Sequence, residues 1–235
     1  MIYSFFDAIL SRAKGRPYTI DRRIPFEALL GSIIRRVWWV LRGLLKTSVL
    51  SFRPTRIFIG PRVMLRNLRG CRFGSNVTIE ASVLLDGLAE FGIRLGDNVS
   101  IGAYSIIRAS SASYLGQGLV MGRNSSCDAY SFFGAGGLIT IGEDVIMGQH
   151  VSFHAETHKF GSPDTAIRLQ GITPLPIMID DDCWVGANVT FLGGAKIGRS
   201  SIVGAGAVVR GEFPPFSVIA GVPARIIRSR KDPQS

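Results

Sequence analysis

His150, His154 and His158 fall within nine consecutive positions, and the 235-residue chain has no other histidine. A neutral imidazole near pH 7 suits proton abstraction, so the cluster points to a general base. Glu156, Asp144 and Asp164 are near enough in sequence to orient such a ring, and spacing alone does not choose among them. Three imidazoles would equally suit zinc. The three cysteines, Cys71, Cys127 and Cys183, are far apart and form no CxxC pair. That argues against a disulfide scaffold or a zinc ribbon and suits a reducing compartment.

The stretch from His154 to Pro176 interrupts a period of six. Apolar residues recur at Ile179, Val185, Phe191, Ile197, Val203 and Val209, each commonly followed by a small or acidic residue. Further runs are Leu95, Ile101, Ile107, then Ile141, Met147, Phe153, with weaker ones at Phe73, Ile79, Leu85 and Met121, Cys127, Phe133. The fifth position of the hexad is often small or β-branched, as at Val77, Val99, Ser105, Val145, Val189 and Ala207. An α-helix cannot keep a period of six on one face. Six residues make one short strand and a turn, and three such units close one triangular coil, so a parallel β-helix is expected over 57–224. Breaks after Leu85, near Tyr114–Leu119 and after Phe153 mark loops leaving the coil. A repeat scaffold needs no insertion as long as 154–176, and loops of this size commonly carry function.

The formal net charge is +10. Residues 1–56 hold 11 basic and 3 acidic side chains, a net of +8, and the tail from Arg225 adds +3, leaving the body at −1. A nucleic-acid-binding surface is therefore not expected. Residues 1–56 read as a basic, amphipathic helical segment, with apolar positions from Phe26 to Leu45 at helical spacing and Arg35, Arg36 and Arg42 between them. No uncharged run is long enough to span a bilayer. Met1–Leu10 lacks a basic stretch and contains Asp7, so no secretory signal is expected. A helix carrying Trp38, Trp39 and arginines suits the headgroup layer of a membrane through residues 20–46, and equally a packing role against the main domain or another subunit. Residues 225–235 read as a basic C-terminal tail.

The segments Ile179-Asp-Asp-Asp-Cys-Trp-Val-Gly-Ala-Asn-Val-Thr, Ile202-Val-Gly-Ala-Gly-Ala-Val-Val and Ile219-Ala-Gly-Val-Pro-Ala-Arg-Ile-Ile-Arg carry a resemblance. They resemble the hexapeptide-repeat acyltransferases, in the branch of galactoside and maltose O-acetyltransferases and the sugar O-acetyltransferases of polysaccharide biosynthesis. The resemblance covers about 57–228 and leaves out the N-terminal helices. It implies a left-handed parallel β-helix, mainly β with an N-terminal α-helical segment. It also implies a homotrimer with sites between subunits, and acetyl transfer from acetyl-CoA, as co-substrate, to a saccharide hydroxyl, with no metal. Alternatives on the same scaffold are a xenobiotic acetyltransferase acceptor or a γ-carbonic-anhydrase-like metal enzyme. In the latter the ligands come from separated coils, unlike this cluster.

Aligned on the coil that begins at Gly142, the resemblance puts the base at His158, with His154 as second candidate. Trp184 matches the tryptophan packed on the pantetheine arm, and Ala187, Gly204 and Ala205 match positions where small side chains admit it. Arg225 and Arg228 match positions whose guanidinium groups meet CoA phosphates. Asp97, Asn98 and Tyr104 are weaker candidates for facing the acceptor. A cytoplasmic location, at the inner membrane face, is the expected setting.

Overall fold

The computed structural model describes residues 2–14, 17, 19–47, 56–111 and 114–232. Parts of the expected N-terminal segment (48–55 among them) and the last residues of the expected tail, 233–235, therefore lie outside the described residues. From Ile57 onward the chain winds through three sheets that enclose one core. Face A orders Ile57–Ile59, Val77–Ile79, Ser100–Ile101, Ser126–Cys127, Ile146–Met147, Trp184–Val185, Ile202–Val203, Ser217–Ala220 and Arg225–Ser229. Face B runs from Met64–Arg66 to Val208–Val209, and face C from Cys71–Phe73 to Glu212–Phe213. Every pairing within faces B and C is parallel, as the repeat predicts.

Each hexad's first residue points inward and stacks on its counterpart one coil away. Phe133, Phe153 and Phe191 are fully buried on face B, with ring centroids 4.9 and 4.8 Å apart and planes within 11° and 14° of parallel. The spacing between sheet strands is about 4.8 Å, so the coil itself sets the stacking distance. The fifth positions are buried as well, including Val77, Val99, Ser105 and Ala207, because a corner admits only a small side chain there.

The corners need left-handed backbone. Between faces C and A it is supplied by Asn76, Asn98, Asn124, Asp144, Asp182 and Ser200, all at positive φ. Asparagine and aspartate tolerate that region. Here they also form a ladder, with Asn98 Nδ2 donating to Asn124 Oδ1 at 2.9 Å and Asn124 Nδ2 to Asp144 Oδ1 at 3.0 Å. Asn98 is therefore committed to the scaffold.

Two helices precede the coil, α1 (Ile2–Lys14) and α2 (Phe26–Thr47). Asp7 of α1 accepts from the Ile20 amide at 2.8 Å and pairs with Arg22, which ties α1 to the connection that follows. The α2 helix lies against Ile57–Ile59, the first edge of face A. Gly43 makes this possible, since a Cβ there would stand 2.0 Å from the Ile57 carbonyl oxygen. Lys46 Nζ donates to the Val63 carbonyl at 2.6 Å, and Arg36 lies over the Phe58 ring. An open sheet edge is a template for unwanted pairing, and α2 covers this one.

The first part of the basic C-terminal segment is built into the sheet. Arg225–Ser229 is a strand, antiparallel to Ser217–Ala220. Arg230 Nη1 donates to the Ser200 carbonyl at 2.6 Å, and Lys231 Nζ lies 4.2 Å from the Phe216 ring centroid. The last coil leaves the face A edge free, and the chain folds back to pair with it.

Candidate active site

The links that leave the coil do so at the same corner. Residues 87–92, 109–118, 135–138 and 155–176 all connect a face B strand to a face C strand. The third link is the short one, Ala135-Gly-Gly-Leu138, and it lies between two long ones. The result is a cleft of about 910 Å³, floored by the short link and walled by its neighbours.

Both favoured histidines line this cleft. His154 ends the strand Ser152–His154, beside Gly134 in register, and its ring lies tilted 5.6 Å from Phe132. His158 ends Glu156–His158, which pairs antiparallel with Ile172–Pro174 so that the insertion folds back as a hairpin. Lys159 donates to the Gly171 carbonyl at 2.9 Å and closes the hairpin further. Glu156, two residues before His158, also lines the cleft. Its carboxylate occupies space that Gly136 leaves open, since a Cβ on Gly136 would stand 1.8 Å from Glu156 Oε2.

Tyr114, on the wall opposite the hairpin, donates its hydroxyl to the Gly136 carbonyl at 3.0 Å. Burial first, then the negative charges of Glu156 and Glu90, hold its phenol above the ordinary value. It is thus a neutral donor at physiological pH. Arg108 and Arg168 complete the charged lining.

His150 does not belong to this group. It occupies the corner between faces A and B at φ 58°, and its ring stacks on Tyr130, which stacks on Tyr104, at 5.0 Å in both cases. Tyr104 is therefore part of a corner column. Asp97 accepts from the Ser75 amide at 2.6 Å. None of Asp97, Asn98 and Tyr104 reaches the cleft. Among the described residues no three His, Cys, Asp or Glu side chains group closely enough to hold a metal ion.

The other candidates gather elsewhere. Trp184 is 53% exposed on the outer side of face A, between Ile146 and Ile202 in register. Ala187, Gly204 and Ala205 follow at the adjoining corner, where Gly206 donates to the Ala187 carbonyl at 2.9 Å. Arg225 sits opposite Ala220 and Arg228 opposite Val218, so both extend the same strip. The structure thus brings these six residues onto one strip and puts none of them in the histidine cleft.

Arg108, Tyr114, Gly136 and Arg168 were not singled out from sequence. A signal existed. Counting hexads in threes from Ile79 places each long break after the second unit of a coil, which stacks the loops on one corner.

Residues 176–211 match the family model described as bacterial transferase hexapeptide, six repeats. WbbJ of Escherichia coli (strain K12), whose name assigns it to lipopolysaccharide biosynthesis as an O-acetyl transferase, is 29% identical over 80% of this chain and 86% of its own. Rv3034c of Mycobacterium tuberculosis, named as an acetyltransferase, is 38% identical over 32% of this chain, which spans only a quarter (25%) of that protein's length. Among solved structures, AntD, an N-acyltransferase from Bacillus cereus in complex with dTDP and 3-hydroxybutyryl-CoA, superimposes with a TM-score of 0.50. It is 17% identical and covers 74% of this chain and 80% of its own, a likeness of fold. The period of six and the three-faced coil it builds agree with that match, so over 176–211 the chain carries repeats similar to those of the bacterial hexapeptide transferases.

Proposed function

We propose that the chain moves an acetyl group from acetyl-CoA to a hydroxyl of a saccharide, with His158 as general base. The carrying observation is the corner cleft, where His158 and His154 face one space beside Glu156. The WbbJ relationship over most of both chains supports the reaction class. In this reading the imidazole takes the proton of the acceptor hydroxyl as its oxygen attacks the thioester carbonyl. The C–S bond then breaks, and the CoA sulfur leaves with the proton held by the imidazolium. Trp184, Ala187, Gly204 and Ala205 form the groove for the pantetheine arm, and Arg225 and Arg228 meet the CoA phosphates.

The strip and the cleft lie on different faces of one chain. Joining them requires a second copy, so we assign the working enzyme to a homotrimer whose site combines the strip of one subunit with the cleft of another. The N-terminal helices give it a peripheral contact with an anionic bilayer at the cytoplasmic face, where a glycan or lipid-linked saccharide would be met.

The test is thiol release from acetyl-CoA across a panel of sugars, nucleotide sugars and glycans. Replacing His158→Ala is expected to lower turnover by about a hundredfold or more, the usual scale for a lost general base. Turnover unchanged in that variant would sink the mechanism.

A further inference from the structure

Arg108 and Arg168 have no part in deprotonating a hydroxyl, yet both reach the cleft from different walls. Arg108 ends the strand Ile106–Arg108 and pairs in register with Gly134, which pairs with His154. Two strand spacings, roughly 10 Å, therefore separate Arg108 from His154, and the residue between them carries no side chain. That gap is about the span of a pyranose ring with a phosphate on its anomeric carbon.

Arg168 sits on the 3-10 turn Ile167–Leu169. Gln170 anchors this turn: its Nε2 donates to the Ser162 and Thr165 carbonyls at 2.8 and 2.6 Å, and its Oε1 accepts from the Ser162 amide at 3.1 Å. The guanidinium is presented from a braced loop. None of the ion pairs found among the described residues uses Arg108 or Arg168. Asp86, in the neighbouring strand, accepts on its Oδ1 from Asn67 Nδ2 at 2.7 Å and the Leu88 amide at 3.1 Å and forms no ion pair with Arg108. Glu156 faces Gly136 and Tyr114, with Glu90 also acting on the Tyr114 phenol. One carboxylate in the cleft thus stands against two guanidinium groups that lack a carboxylate partner.

We infer that Arg108 and Arg168 form an anion subsite for a phosphoryl group of the acceptor, so that the cleft selects phosphorylated saccharides. Two planar forks, one from a strand end and one from the inserted loop, match a group with several peripheral oxygens, whereas a single fork satisfies a carboxylate. The inference rests on the acetyl-transfer reading for its placing of the acceptor, and its test is arranged to separate the two.

Binding of glucose 1-phosphate, UDP-glucose and glucose to the full chain is measured by calorimetry without acetyl-CoA. Both phosphorylated sugars are expected to bind more tightly than glucose. Arg108→Gln and Arg168→Gln, each checked for an unchanged melting curve, should weaken that binding about tenfold, the scale of a lost charge-assisted hydrogen bond, and leave KM for acetyl-CoA unchanged. Tighter binding of glucose 1-phosphate alone would point to a free sugar phosphate, and of UDP-glucose alone to a diphosphate-linked sugar. The subsite is overturned if glucose binds as well as both, if neither variant changes the affinity, or if the variants instead raise KM for acetyl-CoA. Lost phosphate binding in the variants of a protein that releases no thiol would sink acetyl transfer and leave the subsite standing.

Discussion

His154 and His158 face one cleft while His150, only four residues before the first, does not. Each hexad turns the chain to a new face, so a few positions are enough to carry a side chain round a corner. Neighbours in sequence are not neighbours in space on such a scaffold, and the nine-residue cluster divides accordingly. Burial is the largest cause raising the three cysteine thiols, joined by the negative charge of Asp86 at Cys71 and of Asp180 and Asp182 at Cys183. Cys71 is pushed up to about 12 and Cys127 and Cys183 up to about 11. Only the thiolate is nucleophilic, so all three are expected to resist a disulfide reagent at pH 8 until denaturant unfolds the chain. Rapid labelling of the folded protein would contradict this. A folded pKa above the unfolded one contributes stability that is complete below the unfolded value, near 9, and is lost as pH rises toward 11–12. Unfolding free energy should accordingly fall above about pH 9, read from denaturant midpoints at a series of pH values.

At the scale of elements, α2 is apolar on more than one side. One side lies on the edge of face A through Gly43, Arg36 and Lys46. Another exposes Leu30, Ile34, Val37, Trp38, Leu41 and Leu45, with Trp38 59% and Leu45 76% exposed. The spacing of this second stripe is also helical, so the amphipathic pattern could not separate packing from membrane contact. In the structure one side of the helix packs on the coil and the other leaves an apolar stripe exposed. A second copy of the same basic stripe would bring like charges together, whereas an anionic bilayer complements Arg35 and Arg42. The chain is expected to co-sediment with phosphatidylglycerol vesicles and poorly with phosphatidylcholine. The double variant Trp38→Ser, Leu45→Ser should lose about 3 kcal/mol of that binding, more than a hundredfold. Equal sedimentation of variant and parent would refute the lipid contact. Among the described residues no helix is long and apolar enough to cross a membrane.

At the scale of the molecule, the loops define a single corner and the CoA-binding candidates define a strip one face away. A lone chain leaves the two apart, which is the physical reason for expecting a trimer. Light scattering should return the mass of three chains, and a monomer that retains full thiol release would overturn a site shared between subunits.

The period of six determined the coil from sequence alone, because everything it needs is local. The inward apolar residue, the small fifth residue and the turn-tolerant Asn, Asp or Gly each act within one hexad, and stacking only repeats them. The long insertion and the two histidines that line the cleft were legible for the same reason. Several things depended on the tertiary structure. Arg108 and Arg168 are 60 positions apart, and Tyr114 meets Gly136 only because two loops leave the coil at one corner. The C-terminal strand formed because the last coil left an edge unpaired, and His150 was withdrawn by a stack with Tyr130. These are contacts between different coils. A repeat specifies where each unit turns, whereas the company a side chain keeps depends on which insertions stand above and below it.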